Sequence, residues 1–195
     1  MDLVIASNNK NKIVEIKMIL GDTFDNIYSL REKNINIDVE ETGTTFKENA
    51  YIKASEIYKI VGCPVLADDS GICVDALGGA PGVYSARYSG EPCDNERNND
   101  KLLNALANET NRNAYYECMM CLYFAPDDIV YAEGKTYGTI LHERRGTGGF
   151  GYDPIFLSDD LNKTLAEIDL DEKNKISHRA RALATLKDIL AQRNS

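Results

Sequence analysis

Leu3-Val4-Ile5-Ala6 is an unbroken apolar run, the mark of a strand buried on both faces. The polar loop Ser7-Asn8-Asn9-Lys10-Asn11-Lys12 follows, and then Ile13, Ile16, Ile19 and Leu20 recur at helical spacing up to Gly21. Ile35, Ile37 and Val39 alternate with polar residues, which predicts a half-buried strand ending at Glu40-Glu41-Thr42-Gly43. Thr45-x-x-Glu48 has the form of a capping box. Behind it Phe46, Ala50, Ala54, Ile57 and Val61 share one helical face, and Gly62 with Pro64 end the helix. A second apolar run, Pro64-Val65-Leu66-Ala67, predicts a buried strand closed by Asp68-Asp69-Ser70-Gly71.

In the second half, Gly78-Gly79-Ala80-Pro81-Gly82 predicts a loop, and Leu102, Leu103 and Leu106 mark a helix. Tyr116, Cys118, Met120 and Leu122 alternate with Tyr115, Glu117, Met119, Cys121 and Tyr123, and Pro126-Asp127-Asp128 turns the chain into Ile129-Val130-Tyr131-Ala132. That pattern predicts an antiparallel hairpin. One more strand is expected over 137–141, then a loop over 142–151, and Ala180, Leu183, Leu186 and Leu190 mark a last helix. Helices alternate with strands early and a hairpin interrupts later. The expected class is therefore α/β with a mixed sheet, as one domain over 1–195 or as two closely joined lobes.

Length adds that 195 residues suffice for a sizeable core. Charge narrows the partners: 31 acidic against 22 basic residues give −9, a surface that repels nucleic acid. A small anionic ligand then requires locally gathered basic groups or a divalent cation. No apolar run approaches the roughly 20 residues that span a bilayer, and Met1-Asp2 opens straight into a strand, so a cytoplasmic location is expected and no membrane contact. Five cysteines, an odd number, point to reduced thiols. Cys118 and Cys121 have metal-like spacing, but three positions apart on a strand their sulfurs point to opposite faces, which predicts structural thiols.

Asp68-Asp69 places two carboxylates where a buried strand meets its loop, a position suited to metal binding or proton transfer. Chance alone supplies roughly five adjacent acidic pairs in a chain this acidic, so the pair gains weight only from its company. Ser7 to Lys12 joins a strand to a helix N-terminus and carries two lysines, a setting that favours an anion although it lacks the P-loop spacing. Glu40 and Glu41, with Asp68 and Asp69, would form an oxygen-rich cluster of the kind Mg²⁺ takes together with waters and phosphates. Arg144-Arg145-Gly146-Thr147-Gly148-Gly149-Phe150-Gly151-Tyr152-Asp153-Pro154 is the densest glycine segment, and Phe150 among glycines offers a stacking surface for a planar base. Lys173 and Ser177-His178-Arg179 gather donors near the last helix, and the absence of a G-x-S-x-G elbow speaks against a serine hydrolase.

Taken in order, these segments resemble the inosine triphosphate pyrophosphatase family. The resemblance rests on Ser7-x-Asn9-x-x-Lys12, Glu40-Glu41-Thr42-Gly43-x-Thr45-Phe46-x-Glu48-Asn49-Ala50 and Ala67-Asp68-Asp69-Ser70-Gly71. It continues through the block from Ala76 to Tyr88, Gly148-Gly149-Phe150-Gly151-Tyr152-Asp153-Pro154 and Ser177-His178-Arg179. Such a chain is implied to have a long twisted mixed sheet flanked by helices, two lobes with a nucleotide cleft between them, and a homodimeric state. The implied reaction is Mg²⁺-dependent hydrolysis of ITP, dITP and XTP to the monophosphate and pyrophosphate. By motif position, Asp69 would be the general base, with Asp68 its rival, and Asp69 with Glu40 would hold the metal. Ser7, Asn8, Asn9, Lys10, Asn11, Lys12, Lys53 and Ser70 would hold the phosphates. Phe150, Gly151, Tyr152, Asp153, Lys173, His178 and Arg179 would hold the base, the last three as donors to a 6-oxo group. Relatives often carry glycine at the Asn8 position, and asparagine also tolerates left-handed backbone. A module that senses purine triphosphates without cleaving them would need no carboxylate cluster, and a diphosphatase for pyrimidine nucleotides is a third reading.

Overall fold

The computed structural model describes residues 1–193 and places β1 (Asp2–Ile5) between β2 (Asn26–Ser29) and β3 (Val65–Val74), parallel to both. Parallel neighbours need a crossover rather than a tight turn. Here α1 (Lys10–Leu20) carries the chain from β1 to β2, and α2 (Phe46–Val61) carries it from β2 to β3 on the other side of β1. Then come α3 (Asn95–Ala105), the long strands β4 (Asn113–Ala125) and β5 (Asp128–Ile140), and the short strands β6 (Phe156–Ser158) and β7 (Lys163–Thr164). α4 (Leu170–Ile176) and α5 (His178–Arg193) end the described chain. The sheet runs β2-β1-β3-β4-β5-β6-β7, with β6 antiparallel to β5 and to β7, so the expected mixed α/β architecture is what forms.

The chain divides into two compact units. The first takes Met1–Asp69, Cys118–Gly134 and the residues from Arg179 on, and the second takes Ser70–Glu117 and Lys135–His178. In the first unit the period-2 alternation of the strands produces two apolar faces. Leu3, Ile5, Leu66, Cys118 and Met120 meet Ile16 and Leu20 of α1 and Leu183 and Leu186 of α5. Val4, Val65, Ala67, Cys121 and Tyr123 instead meet Ala50, Ala54 and Ile57 of α2. The second unit closes over Ile72, Val74, Leu102, Leu106, Tyr116, Ile140, Tyr152, Ile155 and Phe156. The five cysteines are free thiols, and Cys118 and Cys121 lie on opposite faces, as strand geometry demands.

The capping box forms as read. Thr45 Oγ1 accepts from the Glu48 N–H at 3.1 Å and Glu48 Oε2 accepts from the Thr45 N–H at 3.1 Å. Thr45→Ala is expected to cost about 1 kcal/mol of stability. Equilibrium urea denaturation would show this as a lower midpoint at unchanged slope.

Three local expectations fail, and one strand goes unmarked, for identifiable reasons. No strand forms over 35–39; Ile35 and Val39 pack against the α2-side core while Ile37 is exposed, so the alternation marks one-sided burial of an extended segment without ladder partners. β2 was unmarked because Asn26-Ile27-Tyr28-Ser29 is short and half polar. There is no separate strand at 137–141, because β5 runs unbroken from Asp128 to Ile140 with its burial alternating throughout. Asp68 and Asp69 do not end their strand either: β3 continues to Val74.

Candidate active site

Although β3 runs on, its pairing with β1 ends at Ile5↔Leu66. Asp68 and Asp69 therefore lie just beyond the carboxyl end of β1, where the loop Ser7 to Lys12 departs. In a 2-1-3 strand order this is the point at which consecutive crossovers diverge, the place where open α/β sheets bind ligands. Alternation along β3 then sends the two carboxylates to opposite faces, Asp68 toward α1 and α5 and Asp69 toward α2.

On the α1 and α5 face, Asp68 Oδ2 lies 3.0 Å from Lys12 Nζ and accepts from Arg179 Nε and Nη2 at 3.4 Å each. Arg179 Nη1 donates to Glu15 Oε2 at 2.7 Å. Glu15, Asp68 and Arg179 are all buried. Burial works against the Asp68 charge, but Lys12, Arg179 and Lys53 overcome it and hold this carboxyl well below the usual aspartate range. Asn9 caps α1, its Oδ1 accepting the Lys12 N–H at 3.3 Å, and Ser7 Oγ accepts the Asn9 N–H at 3.1 Å. Asn8 and Lys10 are exposed; Asn11 lies in α1 with its side chain outside what the structure describes. Positive φ outside glycine is confined, among the described residues, to Asn34 and Asn162, so Asn8 makes no use of the left-handed conformation.

On the α2 face, Asp69 Oδ2 accepts from Asn49 Nδ2 at 3.0 Å, and Asn49 Oδ1 in turn accepts the Gly43 N–H at 2.8 Å. That approach needs glycine, since a Cβ at Gly43 would lie 2.6 Å from Asn49 Oδ1. One helical turn beyond Asn49, Lys53 Nζ donates to the Asp68 carbonyl at 2.6 Å and lies 2.7 Å from Glu41 Oε1. Burial and the Glu41 charge push the Asp69 carboxyl above the ordinary aspartate value against the pull of Lys53. Lys53 is half-buried, which disfavours its charge, yet Asp68, Asp69 and Glu41 hold its pKa above the usual lysine value. Glu41 is half-buried on Lys53, and Glu40, beside it in the chain, is exposed.

In the second unit, Asp153 Oδ2 accepts from the Phe150 N–H at 2.8 Å and from Lys173 Nζ at 2.7 Å, and the Lys173 ammonium lies 4.3 Å from the Phe150 ring centroid. Gly149 has φ +72°, and a Cβ there would lie 2.2 Å from Asp153 Oδ2. Asn99 Nδ2 holds the Gly151 carbonyl at 3.0 Å. His178 stacks on Tyr116 with centroids 4.8 Å apart. Ser70 is half-buried in β3.

Three expected base ligands occupy other roles in this arrangement. Tyr152 is a core residue whose hydroxyl donates to the Ser85 carbonyl at 2.7 Å. Asp153 is buried and orients Phe150 and Lys173. Arg179 turns into the first unit, onto Asp68 and Glu15, because successive helical residues diverge by about 100° and His178 already takes the direction of Tyr116. Sequence reasoning passed over Glu15 and Asn49 as site residues and gave Glu41 a place only in the wider carboxylate cluster. Glu15 had a readable signal: it lies three residues from Lys12, at the edge of the apolar arc that begins with Ile19 and Ile16.

A mixed open sheet with acids and lysines gathered at its switch point defines an α/β ligand-binding protein. The chain belongs to the Ham1 family, whose model matches residues 3–189. A dITP/XTP pyrophosphatase of Clostridium perfringens is 50% identical, with 96% of each chain covered. One of Bacillus subtilis is 45% identical over 97% of this chain and 96% of its own. Among solved structures, the Ham1 protein of Staphylococcus aureus matches with TM-score 0.90 and 41% identity over 99% of this chain and 100% of that one.

Proposed function

We propose that this chain hydrolyses deaminated purine nucleoside triphosphates (ITP, dITP and XTP) to the monophosphate and pyrophosphate, removing them from the nucleotide pool. The observation that carries this reading is the opposite setting of neighbouring carboxylates, Asp68 on Lys12 and Arg179 and Asp69 on Asn49 across the strand. Asp68 is locked as an anion, while Asp69 has the raised proton affinity that a general base needs. Asp69, oriented by Asn49, takes the proton of a water that attacks the α-phosphorus, and the bond to the bridging oxygen of the leaving pyrophosphate breaks. Lys12, Lys53, Ser70 and the polar groups of Ser7 to Asn11 surround the phosphates, the lysines offsetting charge that gathers on the departing pyrophosphate. Phe150 stacks on the purine, and Lys173 with His178 donates toward the 6-oxo group.

The donor set fits a magnesium ion. Glu41 lies close enough to Asp69 to raise its proton affinity, Glu40 beside it is exposed, and Mg²⁺ takes few protein oxygens and completes its shell with water and phosphate. Asp69 with Glu40 would hold it, and bound there it would neutralise phosphate charge and make its bound water more acidic. The relatives named dITP/XTP pyrophosphatase support the substrate class. We read the protein as a cytoplasmic homodimer that binds neither nucleic acid nor membrane; among the described residues no helix is long and apolar enough to cross a membrane. A monomeric mass in light scattering at micromolar concentration would overturn the dimer.

The direct test is to incubate the pure protein with ITP and Mg²⁺ and measure pyrophosphate. Release of pyrophosphate with inosine monophosphate is expected; binding without turnover would favour a sensor instead. Phe150→Ala is expected to weaken all purine triphosphates similarly, by about 1–3 kcal/mol, because stacking does not read ring substituents. The check is kcat/KM for ITP, XTP and ATP side by side.

A further inference from the structure

Lys12 and Arg179 meet on a single oxygen, Asp68 Oδ2, and they do not share it equally: the ammonium is at 3.0 Å, the guanidinium at 3.4 Å. A guanidinium opposite a carboxylate ordinarily closes to a bidentate pair at 2.7–2.9 Å. Glu15, on the neighbouring helix, takes Arg179 Nη1 at 2.7 Å. Lys12 and Glu15 stand three residues apart on α1, so one helix carries both the lysine and the carboxylate that draws its competitor away. The four charges are two positive and two negative, and three of them are buried, an environment in which removing one redistributes the others rather than being screened.

We propose that Glu15 is a positioning residue for Lys12, acting through Arg179 and Asp68. By engaging Arg179, Glu15 reserves Asp68 Oδ2 for Lys12. One donor of the lysine ammonium is then spent on Asp68, and its other two face the anionic ligand in a fixed direction. Without Glu15, Arg179 swings fully onto Asp68, Lys12 is displaced, and the phosphates lose a preorganised cation. This rests on the reading that Lys12 is a phosphate ligand, and it extends that reading to a residue with no contact to substrate.

The test uses the full chain with inorganic tripolyphosphate and magnesium as the probe, measured by titration calorimetry. Glu15→Gln keeps shape and hydrogen bonding but not charge, and is expected to weaken tripolyphosphate binding roughly tenfold, the worth of one charge-assisted bond. In a Lys12→Gln background the same change should alter affinity less than twofold, because the residue through which Glu15 acts is gone. Kinetically, Glu15→Gln should lower kcat/KM for ITP and ATP by the same factor, since both carry the same phosphates. Glu15→Asp, with the charge kept and the reach shortened, should weaken binding a few-fold and likewise lose its effect in the Lys12→Gln background. It carries the comparison if the glutamine variant does not fold. Affinity unchanged in Glu15→Gln, an equal loss with and without Lys12, or a loss that depends on the base would each overturn the proposal. If the unaltered protein fails to bind tripolyphosphate at all, the phosphate-site reading itself falls first.

Discussion

Asp69→Asn is expected to lower kcat for ITP by roughly 10²–10⁴-fold, the loss that follows removal of a general base. Asparagine keeps the volume and can still meet Asn49, so the substrate pocket survives while the proton acceptor disappears. The assignment follows from how differently two neighbours are treated. Asp68 is drawn on by Lys12 and Arg179 and binds protons too weakly to take one from water. Asp69 faces the other side of β3, where burial and Glu41 raise its proton affinity while Lys53 moderates it. The sign of the pH dependence follows: Asp69 works ionised, so activity is lost as pH falls and the carboxylate takes up a proton. The acid limb of kcat/KM against pH in the free enzyme should show this, and Asp69→Asn should abolish that limb along with the rate. Near-normal kcat in the variant would remove Asp69 from the mechanism.

Much of this arrangement could be read from the chain, and what could not has physical causes. The elements α1, α2, the β4–β5 hairpin and α5 were legible because their apolar residues repeat at the period of the element and their ends carry local chemistry, such as the Thr45 and Glu48 box. The extended stretch at 35–39 misled because alternation reports which side of a segment is covered, and packing can cover it without hydrogen-bonded neighbours. The acids at 68 and 69 were seen, but their division of labour was not. Adjacent residues on a strand face opposite ways, and which face meets α1 with α5 and which meets α2 depends on topology. Arg179 shows the limit most clearly. Beside His178 in the sequence it reads as a second base ligand, yet one step along a helix turns it about 100°, into a buried ion cluster assembled from α1 and β3. Long-range pairing such as Arg179 with Glu15 leaves no periodic trace in the chain, so only a charge placed on an apolar face hints at it.

That cluster should also dominate the stability of the first unit. Asp68→Asn leaves Arg179 and Lys12 facing one buried carboxylate, Glu15, where there had been two. Removing one partner from a buried ionic network costs about 3–5 kcal/mol, because the remaining charge is stranded away from water. Loss on that scale should appear in guanidinium unfolding at pH 7 as a clear drop in midpoint. Its pH dependence separates a charge effect from a packing effect. The folded-state pKa of Asp68 lies below its unfolded value, so its stabilisation is complete above the unfolded pKa of about 3.9 and fades as pH falls toward the folded one. The stability gap between the unaltered protein and Asp68→Asn should therefore be flat from pH 7 to about pH 5 and narrow below about pH 4. A gap that stays constant down to the acid limit of the native state would mean that Asp68 contributes shape, and an unchanged midpoint at pH 7 would mean that Lys12 and Arg179 find other partners. Either outcome would remove the physical basis for treating Asp68 as the locked member of the pair, and with it the argument that leaves catalysis to Asp69.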